Sequence, residues 1–262
     1  MRIATLVVAA DQTDSVIAEL YGLGTEGIQE ISVPGRGVRL EAWFRDKVDL
    51  GWLERYQPLW TDAPDADWSE QWREAWEPLL VGQRLYVAPE WRDDPTPPGR
   101  VRLVIRPAQA SGTGYHPPTR LALEALEVVV EPGTALLDVG TGSGILCRAA
   151  LLLGARLTIG CDIDARCLDE ARDLTVFVGS ARAVRTALFD CVVANLNAEA
   201  LLALREDLCR VVRPGGWLVL GGFKARRLGE LRAAFNWPVA RELQSAEWRC
   251  LILQSAARQE SK

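Results

Sequence analysis

From residue 117 onward, the chain alternates regularly between helical apolar periodicity and short apolar runs. Residues 121–130, 143–153, 165–172, 198–211 and 228–235 carry the helical pattern. Residues 135–138, 157–161, 175–178, 189–194 and 217–220, with runs near Val239 and Leu251, predict strands. Strands alternating with helices imply a mainly parallel sheet covered on both faces, a doubly wound α/β domain over residues 108–262. The front of the chain reads differently. Residues 3–8 predict a strand, 11–20 an amphipathic helix ending near Gly22 and Gly24, and 28–33 and 38–44 two strands joined by Pro34-Gly35-Arg36-Gly37. This β-α-β-β order predicts a small α+β, ferredoxin-like domain over residues 1–60.

Residues 61–107 are expected to connect the two. Thr61-Asp62-Ala63-Pro64-Asp65-Ala66 is linker-like, and a helix is predicted from Asp67, with Glu70 as its capping partner. Trp68, Trp72 and Trp76 recur every fourth residue and share one face of that helix. That face either packs between the two parts or forms an aromatic platform for a substrate segment. Strands are predicted at 84–88 and 101–105.

Composition narrows the function classes. With 48% hydrophobic and 25% charged residues in 262, the chain can bury a sizeable core. No apolar run reaches the length of a bilayer span, and the N-terminus lacks a signal-peptide layout, so a cytoplasmic protein with no membrane partner is expected. The six cysteines lack Cys-x-x-Cys spacing and the only histidine is His116, which argues for buried reduced thiols and against a metal site. A net charge of −5 gives no broad positive field, so direct nucleic acid binding is not expected, while a basic protein partner is compatible.

The most informative segment is Asp138-Val139-Gly140-Thr141-Gly142-Ser143-Gly144, a strand end running through three alternating glycines into a helix. Glycines let backbone approach a ligand where any Cβ would intrude, and a helix start offers free N–H groups. A dinucleotide loop needs Gly-x-Gly-x-x-Gly; here the third glycine comes one residue early and Ile145 fills its place. Asp138 would repel a pyrophosphate and attract the ammonium of a methionine moiety. Both features favour S-adenosylmethionine over a nicotinamide dinucleotide. Asp162, closing the next strand, is suited to the ribose hydroxyls, with Asp164 mainly a helix cap. Asn195, in Asn195-Leu196-Asn197-Ala198, lies in a loop that faces the ligand crevice of such a sheet and is the catalytic candidate, ordering cofactor or acceptor amine; Asn197 reads as a cap. That loop has neither prolines nor an aromatic, which argues against an extruded nucleobase as acceptor.

Ser111-Gly112-Thr113-Gly114-Tyr115-His116-Pro117-Pro118-Thr119-Arg120, with Asp67–Trp72, the 138–144 loop and Asn195–Ala198, resembles the PrmA family, clearest from about residue 65 to 235. Those enzymes methylate amino groups of bacterial large-subunit ribosomal protein eleven. The resemblance implies a small substrate-recognition domain followed by a seven-stranded, Rossmann-like class I methyltransferase domain. It implies an S-adenosylmethionine-dependent protein lysine N-methyltransferase, acting on lysines or the N-terminus of that ribosomal protein. It places cofactor contacts at Thr119, Gly140, Asp162 and Asn195, beside Asp138, Gly142 and Gly144 from the loop itself. His116 matches the motif's histidine and is read as a structural hydrogen-bonding group. Ser111, Pro118 and a shortened 162–195 stretch depart from the family pattern at the lid and the adenine side of the pocket. Two alternatives stay open: a methyltransferase for another protein lysine or a small amine, and a non-catalytic scaffold of the same fold.

Overall fold

The computed structural model describes residues 1–9, 12–25, 27–33, 37–62, 77–105 and 116–257. The expected tryptophan helix and the Ser111–Tyr115 segment lie outside these residues. The chain divides into two compact units, Met1–Ala75 and Trp76–Lys262.

In the first unit, strands β1 (Arg2–Val8), β2 (Gly27–Val33), β3 (Gly37–Phe44) and β4 (Leu59–Asp62) form one sheet in the order β2-β3-β1-β4. β1 and β2 are both antiparallel to β3, so they run the same way with β3 between them. Helix α1 (Thr13–Gly22) makes that crossover. Alternation works as the sequence predicts: Ala4, Leu6 and Val8 bury against Leu40, Ala42, Phe44, Val16 and Leu20. Where a ferredoxin-like unit carries its second helix, this chain has a 3-10 segment, Gly51–Tyr56, with Leu53 as its buried anchor. β4 was not foreseen. Thr61 and Asp62, read as linker, are its end, pairing with Ile3 and Arg2. It is an edge strand whose residues are mostly exposed, so it lacks the apolar alternation that marks a strand in a sequence.

The second unit contains a three-stranded sheet, β5 (Leu79–Val81), β6 (Leu85–Pro89) and β7 (Val101–Ile105), and a seven-stranded one. The small sheet was expected as a connecting segment. It instead shares a core with the large one: Val81, Leu85, Val87, Leu103 and Ile105 pack with Leu121, Leu126 and Val129 of helix α2 (Pro117–Val129). Glu127 of α2 clips the β5–β6 turn in place, its carboxylate accepting the amides of Gln83, Arg84 and Leu85 at 2.7, 2.9 and 3.0 Å.

The large sheet has the order β10-β9-β8-β11-β12-β14-β13. Its strands are β8 (Ala135–Val139), β9 (Leu157–Asp162), β10 (Val176–Val178), β11 (Phe189–Asn195), β12 (Val212–Lys224), β13 (Val239–Ser245) and β14 (Trp248–Gln254). β14 alone breaks the parallel run, pairing antiparallel with β12 and β13. Strands β8 and β11 have all five and five of seven residues buried, respectively, and read as continuous apolar runs because both faces are covered. One face carries α2 and α3 (Ile145–Leu153); the other carries α5 (Ala198–Ala203), α6 (Arg205–Val211) and α7 (Leu228–Phe235).

Three elements depart from the periodicity. The helix expected at 165–172 is a single turn, α4 (Cys167–Glu170). The helix expected at 198–211 breaks at Leu204, dividing α5 from α6. Pro214-Gly215-Gly216, read as a turn, bulges within β12, whose ladder with β11 shifts between the Phe189–Val212 and Cys191–Trp217 pairs.

Replacing Glu127 by alanine strips three amides of a charged acceptor. It is expected to cost about 2 kcal/mol of stability, read as a lower denaturation midpoint in urea with unchanged slope.

Candidate functional site

The sheet order reverses direction at β8, whose neighbours β9 and β11 are reached by separate crossovers. Ligands of open α/β sheets bind outside the strand ends at such a switch point. Two loops leave the sheet here, 140–144 after β8 and 195–197 after β11. Ala194 pairs with Val139, so the loops start side by side. A Cβ on Gly140 would lie 2.3 Å from Leu196 Cδ2, which measures how closely they face each other.

Gly140, Gly142 and Gly144 all take positive φ (78°, 48° and 76°), a path that side chains with a Cβ rarely follow. The loop folds back on β9. The amides of Gly140 and Thr141 donate to Cys161 O at 2.8 and 3.1 Å, that of Gly142 to Asp162 Oδ2 at 2.9 Å, and that of Gly144 to Thr141 O at 2.8 Å. The N–H groups expected to face a ligand are therefore committed internally at four of five loop positions. Asp162 also accepts the Asp164 amide through Oδ1 at 3.0 Å, so its carboxylate is fixed at the strand end. Asp164 is not the helix cap expected of it. It closes a local turn on the Arg166 amide at 3.0 Å, because α4 starts later and Arg166 stands before its first residue.

Asp138 has no exposed surface. Thr141 Oγ1 donates to its Oδ2 at 2.8 Å, the Cys147 thiol lies 3.8 Å from the same oxygen, and Oδ1 has no hydrogen-bond partner among the described residues. Burial, with Asp162 nearby, pushes this carboxyl up to about 7 despite the Thr141 and Cys147 bonds. Asp138 thus lies beneath the loop rather than on the crevice wall.

Asn195 and Thr119, 76 residues apart in sequence, meet at the other side. Asn195 Nδ2 is 3.5 Å from Thr119 Oγ1, and Thr119 is buried at the start of α2. Asn195 Oδ1 is buried without a hydrogen-bond partner among the described residues. Asn197 caps α5 as expected, accepting the Ala200 amide at 2.8 Å.

The family model for Ribosomal protein L11 methyltransferase (PrmA) matches residues 42–256. The chain belongs to this family. A Ribosomal protein L11 methyltransferase of Azotobacter vinelandii is 43% identical over 182 residues, which cover 66% of this chain and 62% of that relative. One from Gloeobacter violaceus is 34% identical over 93% of this chain and 85% of its own length. The crystal structure of a ribosomal protein L11 methylase from Lactobacillus delbrueckii subsp. bulgaricus, 26% identical, aligns with a TM-score of 0.64 over 70% of this chain and all of that one. The domain with the seven-stranded sheet is thus a PrmA-family class I methyltransferase fold.

In this PrmA-family chain the motif histidine makes an aromatic contact. His116, just ahead of α2, meets the Trp248 ring edge-on at 5.4 Å between centroids. Lys224 Nζ is 5.4 Å from the same ring and ion-paired to Glu247 at 3.4 Å. Burial and then the Lys224 charge lower the His116 pKa, so its ring is neutral at neutral pH. The cysteines fit their expected role: all six are free thiols, five of them buried.

Sequence reasoning missed Trp248, Lys224 and Arg148 as parts of this region, and gave Thr141 and Leu196, inside the two loops it picked out, no role of their own. Only Arg148 left a signal, as the sole charge in the apolar helix Ile145–Leu153.

Asp138 carries a pH prediction. Its folded-state pKa stands above the unfolded value, so the folded state binds more protons between about pH 4 and pH 7 and stability falls as pH rises through that window. Asp138→Asn removes the ionisation. The variant's stability relative to wild type is expected to improve from pH 5 to pH 8, by a few kcal/mol at most, in denaturant titrations at both values. A difference that does not vary with pH would show that Asp138 does not titrate there.

Proposed function

We propose that this chain transfers methyl groups from S-adenosylmethionine to amino groups of large-subunit ribosomal protein L11, to lysine side chains or the N-terminus. The reading rests on membership of the family and on one feature of the site: Asn195, beside Thr119, with its Oδ1 buried and without a hydrogen-bond partner among the described residues, next to a glycine loop that turns four of its amides inward. A diphosphate needs free N–H groups at such a loop. A nucleoside needs close backbone approach and an acidic partner for its ribose instead, and Gly140, Gly142 and Asp162 supply them.

In this assignment Asp162 holds the ribose hydroxyls. Each of its oxygens accepts one amide and keeps a lone pair for a hydroxyl. Gly140, Gly142 and Gly144 bring backbone against the cofactor, while Asp138, sealed beneath the loop, braces it by accepting the Thr141 hydroxyl. When bound, S-adenosylmethionine supplies a methyl group already activated on a sulfonium. The chain's own task is alignment and exclusion of water, worth about 7–11 kcal/mol in the best cases. Asn195 Oδ1 accepts an N–H from the acceptor amine and aims its lone pair along the transfer axis. The 3.5 Å approach of Nδ2 to Thr119 Oγ1 leaves the oxygen for that amine. A lysine acceptor, with an ordinary pKa near 10.4, must first lose a proton to become the nucleophile. The small first unit is assigned to recognition of the protein substrate, and the reaction to the cytoplasm.

Incubation with labelled S-adenosylmethionine and purified ribosomal protein L11 tests the reading. Label in L11 is expected; cofactor binding with no label in L11 points to another acceptor, and no cofactor binding sinks the methyltransferase assignment. Asp162→Ala is expected to weaken S-adenosylhomocysteine binding at least roughly ten-fold by calorimetry, through lost ribose bonds and a released Gly142 amide. Asn195→Ala is expected to depress turnover more than cofactor binding.

A further inference from the structure

The stretch between β9 and β10 is short, and a single arginine holds it. Arg148 lies in the first turn of α3, the helix that follows the glycine loop. Its Nη1 donates to Ser143 O, in the loop itself. Its Nη2 donates to Glu170 O at 3.1 Å, at the end of the one-turn α4. Nε and Nη2 together grip the two carboxylate oxygens of Asp173, Nε at 3.1 Å. One planar guanidinium thus joins the loop backbone, the α4 backbone and a carboxylate three residues further on, a geometry that lysine cannot reproduce.

Close packing completes the joint. A Cβ on Gly144 would lie 2.5 Å from Leu174 Cδ1 and 2.9 Å from the Ala171 Cβ, so residues 171–174 press directly on the loop. From there the chain feeds β10. Thr175 O accepts the Gly160 amide at 2.9 Å, and the Gly179 amide donates to Asp162 O at 2.7 Å. Whatever locates residues 167–175 therefore also locates the strand end that carries Asp162.

We propose that Arg148 is a positioning residue for the nucleoside side of the pocket, fixing the shortened wall 167–175 against the glycine loop so that Asp162 and the loop keep their spacing. It does this in place of a longer helix, whose apolar face would otherwise anchor the wall by burial. This inference rests on the S-adenosylmethionine reading above for its ligand, but not for the joint itself.

The test uses the full chain with Arg148→Met, Arg148→Lys and Asp173→Asn. Calorimetry with S-adenosylhomocysteine is expected to show binding about ten-fold weaker for Arg148→Met, partial recovery for Arg148→Lys, and an intermediate loss for Asp173→Asn. The Michaelis constant for the cofactor is expected to rise while that for the acceptor protein stays put, a split that general destabilisation would not produce. Amide hydrogen exchange without cofactor is expected to quicken in 167–175 and not in the first unit. Folded Arg148→Met with wild-type affinity and wild-type exchange would overturn the proposal. If that variant fails to fold, Arg148→Lys decides: an ammonium cannot reproduce the fork that reaches two carbonyls and a carboxylate, and wild-type affinity and exchange there overturn the proposal equally. A wild-type chain that binds no cofactor would refute the functional reading and leave the exchange result to judge the joint.

Discussion

The site depends on the glycine loop folding back onto the end of β9. The backbone turns through positive φ at Gly140, Gly142 and Gly144, and this brings its amides onto Cys161 O and the Asp162 carboxylate. Three consequences follow from one geometric act. The loop is rigid before any ligand arrives, so little ordering is left to offset on binding. The acidic strand end is fixed by the same bonds that use up the amides. Asp138, beneath them, is sealed from water with a hydroxyl and a thiol against its Oδ2 and the Asp162 charge nearby, which raises the cost of its own charge. A side chain at Gly140 or Gly144 would undo all three, through collision with Leu196 or Leu174 as well as through backbone strain.

The opposite wall is assembled across sequence distance. Thr119 opens α2, Asn195 closes β11, and the sheet order brings β11 beside β8. Leu196 is held from below, its amide donating to Gly221 O at 3.2 Å, while Gly222 comes so near its backbone that a Cβ there would clash at 2.5 Å. The asparagine, whose oxygen has no partner among the described residues, therefore sits next to a residue held closely against β12. A polar atom left without a partner in such surroundings costs stability, and a site that binds a polar group is a physical reason to retain it.

Much of this was legible beforehand, and what was legible has a common character. The parallel strands could be read because both faces are buried, and the glycine loop because its backbone path admits few other residues. Asp162 and Asn195 stood out because polar residues at the ends of apolar runs are conspicuous. The misses have a common character as well. β4 is an exposed edge strand without periodicity, and β5 is three residues long. The break at Leu204 leaves the apolar stripe intact on both sides, with Leu201 and Leu208 buried in one core, so a single helix and a broken one look alike in sequence. The single-turn α4 was over-read because Ala165 to Arg172 has helical composition; long-range bonds from Arg148 decide its path, and composition does not encode them. His116, read as a structural hydrogen-bonding group, also meets the Trp248 ring more than 130 residues away, a contact no local pattern announces.

Helical walls and arginine-held walls differ in what they ask of the chain. A helix of three turns anchors itself by apolar burial, which is non-directional and tolerates small shifts. A single turn buries too little for that; in α4 only Cys167 is buried. Directional bonds must then supply the position. An exposed ion pair alone contributes under about 1 kcal/mol, so the Arg148–Asp173 contact could not do it unaided. The two backbone carbonyls change the balance, because they receive charge-assisted bonds from a side chain whose own helix is packed into the core through Ile145, Leu146 and Ala149. The entropy of ordering the arginine is met largely by α3, which exists for other reasons. That is how a shortened segment can stay in register with a loop whose spacing to Asp162 is set by a 2.9 Å bond.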